Sequence, residues 1–166
     1  MHNLPPRGAS FRISLPVMPV AETREVCVAG SVEASAGGRI LLVDDEEAVL
    51  ELEQEILSGR CHSVKAVRTG REALRILEKE SMDLVVADLK MPGEVTGRDL
   101  YDWIRQQRPE LAGRVVFTMS DARGEDVGAL LEESGCPFIQ KPFEVGKFLT
   151  VIRRALAQSV ASVLKR

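Results

Sequence analysis

From Arg39 onward the chain alternates short aliphatic runs with stretches whose apolar residues recur every three or four positions. Ile40–Val43 is an apolar run between polar neighbours, the mark of a strand covered on both faces. Glu46–Leu57 carries Val49, Leu52, Glu53 and Ile56 at helical spacing. Asp45 stands where it would cap that helix, and Glu46 and Glu47 suit its positive end. Ser63–Val67 predicts a second strand. Thr69-Gly70-Arg71-Glu72 reads as a capping box opening a helix that turns Ala73, Leu74 and Leu77 inward. Leu84–Ala87 is a third strand, and Asp99–Gln107 a helix with Leu100, Trp103 and Ile104 that ends before Pro109. Val115–Thr118, Glu125–Glu133 and Phe138–Gln140 predict strand, helix and short strand. Val145–Ala157 closes the pattern with Phe148, Leu149, Ile152 and Leu156.

Nearly continuous apolar strands alternating with amphipathic helices predict an α/β fold, a parallel sheet covered on both faces. Right-handed crossovers make it doubly wound, and ligands in such sheets sit outside the carboxyl ends of the strands. Ahead of Arg39 the text changes. Residues 21–38 are rich in Gly, Ala and Ser and read as a flexible linker. Phe11-Arg12-Ile13-Ser14-Leu15 alternates apolar and polar and stops at Pro16, an edge-strand pattern with no partner in its own segment.

Composition narrows the function. The 166 residues are 45% hydrophobic, too apolar for a disordered chain, and 22 basic against 25 acidic residues leave no basic footprint for nucleic acid. No apolar run approaches bilayer length, and the first thirty residues lack a secretory signal, so neither membrane contact nor export is expected. Cys27, Cys61 and Cys136 are an odd number at wide spacing, which argues against a disulfide framework or a zinc site. A cytoplasmic home is the expectation. His2 and His62 read as solvated surface, away from any site.

The chemistry stands at the strand ends. The first strand runs into Asp44-Asp45, the third into Asp88, the fourth into Thr118-Met119-Ser120 and the fifth into Gln140-Lys141-Pro142. Any one Asp there can be a helix cap. Together, close acids repel by about 4 kcal/mol per pair at an effective dielectric of 20, which a divalent cation relieves. Carboxylates without His or thiolate favour Mg²⁺ over Ca²⁺ or Mn²⁺. With metal and Lys balancing the charge, a carboxylate can accept a phosphoryl group.

Arg39-Ile40-Leu41-Leu42-Val43-Asp44-Asp45, Asp88-Leu89-Lys90-Met91-Pro92 and Lys141-Pro142-Phe143 resemble, in order, the motifs of the receiver domain of two-component response regulators. The resemblance covers 39–158, leaving 159–166 as a tail. It implies a flavodoxin-like (βα)5 domain with strand order 2-1-3-4-5 that takes a phosphoryl group from a histidine kinase or a histidine phosphotransfer protein. Carried over by position, Asp88 is the phosphoacceptor, Asp45 and Asp88 bind Mg²⁺ with the carbonyl of Lys90, and Asp44 holds metal-bound water. Lys141 contacts the phosphoryl group, and its bond to Pro142 is cis. Phe138 falls at the aromatic switch position, where an ordinary core Phe is the alternative.

The family's strand-four hydroxyl falls on Met119, so a bulge presenting Thr118 or Ser120, or a site without it, is implied; Thr118 is favoured. Gly8–Pro16 resembles the last strand of a sensor-kinase ATP-binding domain, making residues 1–20 a remnant of that domain and the parent a hybrid histidine kinase. The chain itself is then no enzyme beyond Mg²⁺-dependent self-phosphorylation and dephosphorylation. Homodimerisation is a further expectation. The alternative function is a pseudo-receiver that docks partners without chemistry, for which Met119 speaks.

Overall fold

The structure, a computed structural model, describes residues 37–60, 62–120 and 125–163, with side chains described to 120 and from 128 to 157. The expected remnant over 1–20, nearly all of the linker, and Cys27, Cys61 and His2 lie outside these residues.

Aliphatic runs form the five strands. They are β1 (Arg39–Val43), β2 (Ser63–Val67), β3 (Leu84–Asp88), β4 (Val115–Met119) and β5 (Phe138–Gln140), all parallel, in the order β2-β1-β3-β4-β5. Between them run α1 (Glu47–Ser58), α2 (Gly70–Lys79), α3 (Gly97–Gln107), α4 (Pro109–Ala112) and α5 (Glu125–Ser134), with α6 (Val145–Val163) last. Strand side chains alternate faces. Leu41, Val43, Val85, Ala87, Val115, Phe117 and Met119 pack against Ala73 and Leu77 of α2, Leu100, Tyr101 and Ile104 of α3, and Leu130 of α5. Ile40, Leu42, Leu84, Val86, Val116 and Ile139 pack against Leu50, Ile56 and Leu57 of α1 and Phe148, Ile152 and Ala155 of α6. This is the doubly wound arrangement that the alternating sequence predicts. All five carboxyl ends open on one edge.

Several local expectations need correction. Asp45 lies one residue too early to cap α1; Glu46 holds the N-cap position and caps nothing, while Asp44 Oδ1 accepts the Glu46 N–H at 3.0 Å. The buried face of α1 is Leu50, Glu53, Ile56 and Leu57, and Leu52 points outward at 46% exposure. At 100° per residue, Leu50 and Leu57 share a stripe that Leu52 cannot join. Thr69 caps α2 by accepting the Glu72 N–H, and the Glu72 carboxylate accepts the Thr69 hydroxyl at 3.0 Å and the Arg68 N–H at 3.3 Å rather than the Thr69 N–H of a full box. A complete capping box forms instead at α3, between Thr96 and Asp99. The end of α3 at Gln107, before Pro109, is as expected, and Pro109 then opens α4 as its first residue, where proline's missing N–H costs nothing. His62 is half-buried rather than solvated, and its Nδ1 accepts the Gly38 N–H at 3.1 Å. Cys136 is buried and free.

Candidate functional site at the carboxyl edge

Three strand ends deliver the central groups. Asp44 follows β1 and Asp88 ends β3, and both are buried, at 1% and 4% exposure. Lys141 follows β5, where its N–H donates to the Met119 carbonyl at 2.7 Å and holds it against β4. The Lys141–Pro142 bond is cis, as the resemblance implied. Phe143 then stacks on Phe148 with ring centroids 4.9 Å apart, tying this turn to α6.

Lys141 Nζ bridges the acids. It lies 2.6 Å from Asp44 Oδ2, 2.8 Å from Asp88 Oδ2 and 3.2 Å from Glu46 Oε1. Asp88 Oδ1 accepts the Lys90 N–H at 3.1 Å, an Asx turn that fixes the carboxylate. Asp44 Oδ2, although beside the ammonium, has no well-directed hydrogen bond, so that contact is an ion pair only. Burial would lower the Lys141 pKa, but Asp44 and Asp88 outweigh it and hold the ammonium above its usual range. Burial pushes the Asp44 carboxyl up, against the pull of Lys141 and the Glu46 N–H. Three carboxylates against one ammonium leave the rim two charges negative.

The acids that converge are not quite the expected set. Carboxylate oxygens of Asp44, Glu46 and Asp88 all lie within 4.8 Å of one another. Asp45 is half-buried and lines a neighbouring cleft of about 660 Å³ with Leu89, Lys90, Met91, Thr96 and Arg98. Its carbonyl accepts from Arg68 Nη2 at 3.2 Å. Glu46 carries no ligand signature in the sequence, since it follows an Asp pair and reads as ordinary N-terminal charge. Hard oxygen donors and a negative rim fit a small divalent cation.

Around this centre, Thr118 is buried and is the register partner of Asp88. Alternation puts it with Val116, on the α1/α6 side of the sheet, as it puts Asp88 with Val86. Met119 lies on the other side, fully buried in the core against α3 and α5. Ser120 is exposed and lines a groove with Glu46, Lys141 and Phe143. Phe138 is 48% exposed, so the alternative of a core phenylalanine does not hold.

Gly97 opens α3 directly under the site, and a Cβ there would stand 2.3 Å from the Asp88 carbonyl oxygen. Only glycine permits that approach. Glu53, deep on α1, is an acid that helical spacing placed inward but that no motif connected with the rim. It is 1% exposed, its Oε1 has no hydrogen-bond partner, and burial, reinforced by Asp44 and Asp88, pushes its pKa up to about 8.

The family model for the response regulator receiver domain matches residues 40–153, most of the chain. The chain belongs to the response regulator receiver family. It is 31% identical over 127 residues to the transcriptional regulatory protein GlrR of Escherichia coli (strain K12), an alignment covering 76% of this chain and 28% of GlrR. It is 29% identical over 161 residues to the sensor kinase CckA of Brucella abortus, covering 90% of this chain and 17% of CckA. The receiver thus spans under a third of either relative. Among solved structures it resembles the CheY-like receiver domain protein of Methanospirillum hungatei JF-1, with a TM-score of 0.70 and 25% identity over 76% of this chain and 98% of that one. It also resembles the receiver domain of a signal transduction histidine kinase from Syntrophus aciditrophicus, with a TM-score of 0.65 and 30% identity over 74% and 92%. Regulators and kinases both carry this receiver. No helix among the described residues is long and apolar enough to cross a membrane.

Proposed function

We propose that this receiver takes a phosphoryl group on Asp88, with Mg²⁺ held at the acidic rim, in a His-to-Asp phosphorelay. The carrying observation is the bridge from Lys141 to two buried acids, Asp44 and Asp88, on different strands. An ammonium held there matches the charge on a phosphoryl oxygen as it transfers. A carboxylate oxygen of Asp88 attacks the phosphorus of a phosphohistidine, the P–N bond breaks, and its electron pair leaves with the imidazole, which then takes up a proton. Asp44, Asp45, Asp88 and the Lys90 carbonyl are the proposed metal-holding groups, with Glu46 now added. The bound cation supplies electrostatic stabilisation of the transferring phosphoryl oxygens. The Lys90 N–H keeps the Asp88 carboxylate aimed, and Thr118, Asp88's neighbour on the same side of the sheet, offers the hydroxyl otherwise missing at Met119, with Ser120 as the second candidate. Phe138, already exposed, is the proposed switch aromatic.

The partner class is a histidine kinase or histidine phosphotransfer protein, in the cytoplasm, with self-association of the receiver as a further element. A hybrid-kinase parent is supported by the CckA alignment, which takes in 90% of the chain and so reaches beyond residues 40–153. A docking module without chemistry has no need of the buried Asp44–Lys141–Asp88 arrangement.

The test is incubation with acetyl phosphate and Mg²⁺, read by intact mass, and with beryllofluoride and Mg²⁺, read by the fluorescence of half-buried Trp103. One phosphoryl adduct is expected, absent from Asp88→Asn. An adduct that survives Asp88→Asn, or none in the unaltered chain, overturns the reading.

A further inference from the structure

Glu53 plays no part in the phosphoryl chemistry above, yet it is the most deeply buried acid of α1. It sits on the face carrying Leu50, Ile56 and Leu57, which packs with Ile139, Phe148 and Ile152. Among the described residues nothing hydrogen-bonds to its Oε1. Such a carboxyl is costly when charged and unpaired. Its placement relates it to the rim. Side chains on a helix lean toward the N-terminus, and α1 begins three residues after Asp44.

The charged groups acting on it come from three strand ends. Asp44 and Asp88 disfavour its ionisation, and Lys141 favours it. The elements packed on this face add none: α6 presents Phe148, Ile152 and Ala155, while its Lys147, Arg153 and Arg154 are exposed, as is Lys65 on β2. Burial is the main force keeping Glu53 neutral, and the net charge of the rim adds to it, so a change in rim charge moves the Glu53 proton.

We propose that Glu53 is a positioning residue beneath the rim, its carboxyl neutral while the rim lacks a cation and ionised when a divalent cation fills it, so that cation binding releases a proton from the core. This rests on the metal site proposed above and adds a regulator to it. Linkage is reciprocal: if a cation favours the charged form of Glu53, the charged form favours the cation by the same factor. Cation affinity then rises with pH for a reason separate from the ligands themselves.

The experiment titrates magnesium chloride into the full chain by calorimetry near pH 8, in two buffers of different ionisation enthalpy, so that proton release is read directly. The unaltered chain is expected to release protons on binding, and Glu53→Gln, which keeps the shape and removes the titrating group, to release fewer. Affinity of the unaltered chain should also gain roughly ten-fold over Glu53→Gln as pH rises from about 7 to about 9. Equal proton release by both proteins overturns the inference while leaving the metal site standing. No Mg²⁺ binding by the unaltered chain overturns the metal site and the inference together. Should Glu53→Gln fail to fold, carboxyl ¹³C resonances of the unaltered chain read the same proton, and a Glu53 titration that Mg²⁺ leaves in place overturns the proposal.

Discussion

At the scale of single residues, two buried groups carry the sharpest consequences. Glu53 ionises near pH 8 in the folded chain against an ordinary value of 4.5. The folded state therefore holds the extra proton between those values. The stability this provides is complete below the ordinary value and is lost as pH rises through about 8. Urea unfolding of the unaltered chain should show stability falling by a few kcal/mol, on the order of 3, from about pH 5 to about pH 8. Glu53→Leu should be more stable at pH 8 and should not share the fall in stability over that range; a slope matching the unaltered chain would assign the loss to another group. Thr118 is the second case. Thr118→Val keeps the shape, so it should cost only about 1 kcal/mol of stability. If its hydroxyl grips the phosphoryl group, beryllofluoride binding should weaken roughly ten-fold, as expected for a hydrogen bond to a charged group. Ser120→Ala is the paired measurement, and weakening there alone would move the hydroxyl to Ser120.

At the scale of elements, Gly97 shows how a helix start fixes the end of β3. Gly97→Ala would drive a methyl group to 2.3 Å from the Asp88 carbonyl and 2.7 Å from Leu89 Cα, so backbone must move. The expected cost is about 1–3 kcal/mol, with a drop in acetyl-phosphate labelling beyond what the stability loss explains. Thermal melts and labelling rates on the same preparation separate the two effects. The strands themselves were legible because a sheet covered on both faces needs uninterrupted aliphatic runs, and Ile40–Val43 and Leu84–Ala87 are short, partly β-branched runs of that kind. The inward face of α1 was harder. Leu52 is as apolar as Leu50, and only packing against the sheet decides which one faces in. Asp44, Asp88 and Lys141 were legible as strand-end residues. Glu46 was not, because its approach to Lys141 spans 95 positions of sequence and no local pattern marks it.

At the scale of the whole molecule, the proposed metal rim sets how the fold should respond to cations. In the structure the ammonium of Lys141, 8% exposed, already neutralises part of the charge on Asp44 and Asp88. Mg²⁺ bound at the proposed site would have to share those oxygens with it. Lys141→Met keeps much of the stem's apolar packing and deletes the charge, leaving two buried acids facing each other. Without divalent cation that variant should lose about 3–5 kcal/mol, the cost of stranding one side of a buried ion pair. Mg²⁺ should then restore much of it, because ligand binding to the folded state stabilises by RT ln(1 + [L]/Kd), and here the cation meets no competing ammonium. The measurement is a pair of thermal melts, with and without Mg²⁺, for both proteins. The Mg²⁺-induced rise in Tm should be larger for Lys141→Met than for the unaltered chain, while acetyl-phosphate labelling of the variant stays low for want of the ammonium. Equal rises in the two proteins would mean that Lys141 and the cation do not compete for the same carboxylate oxygens.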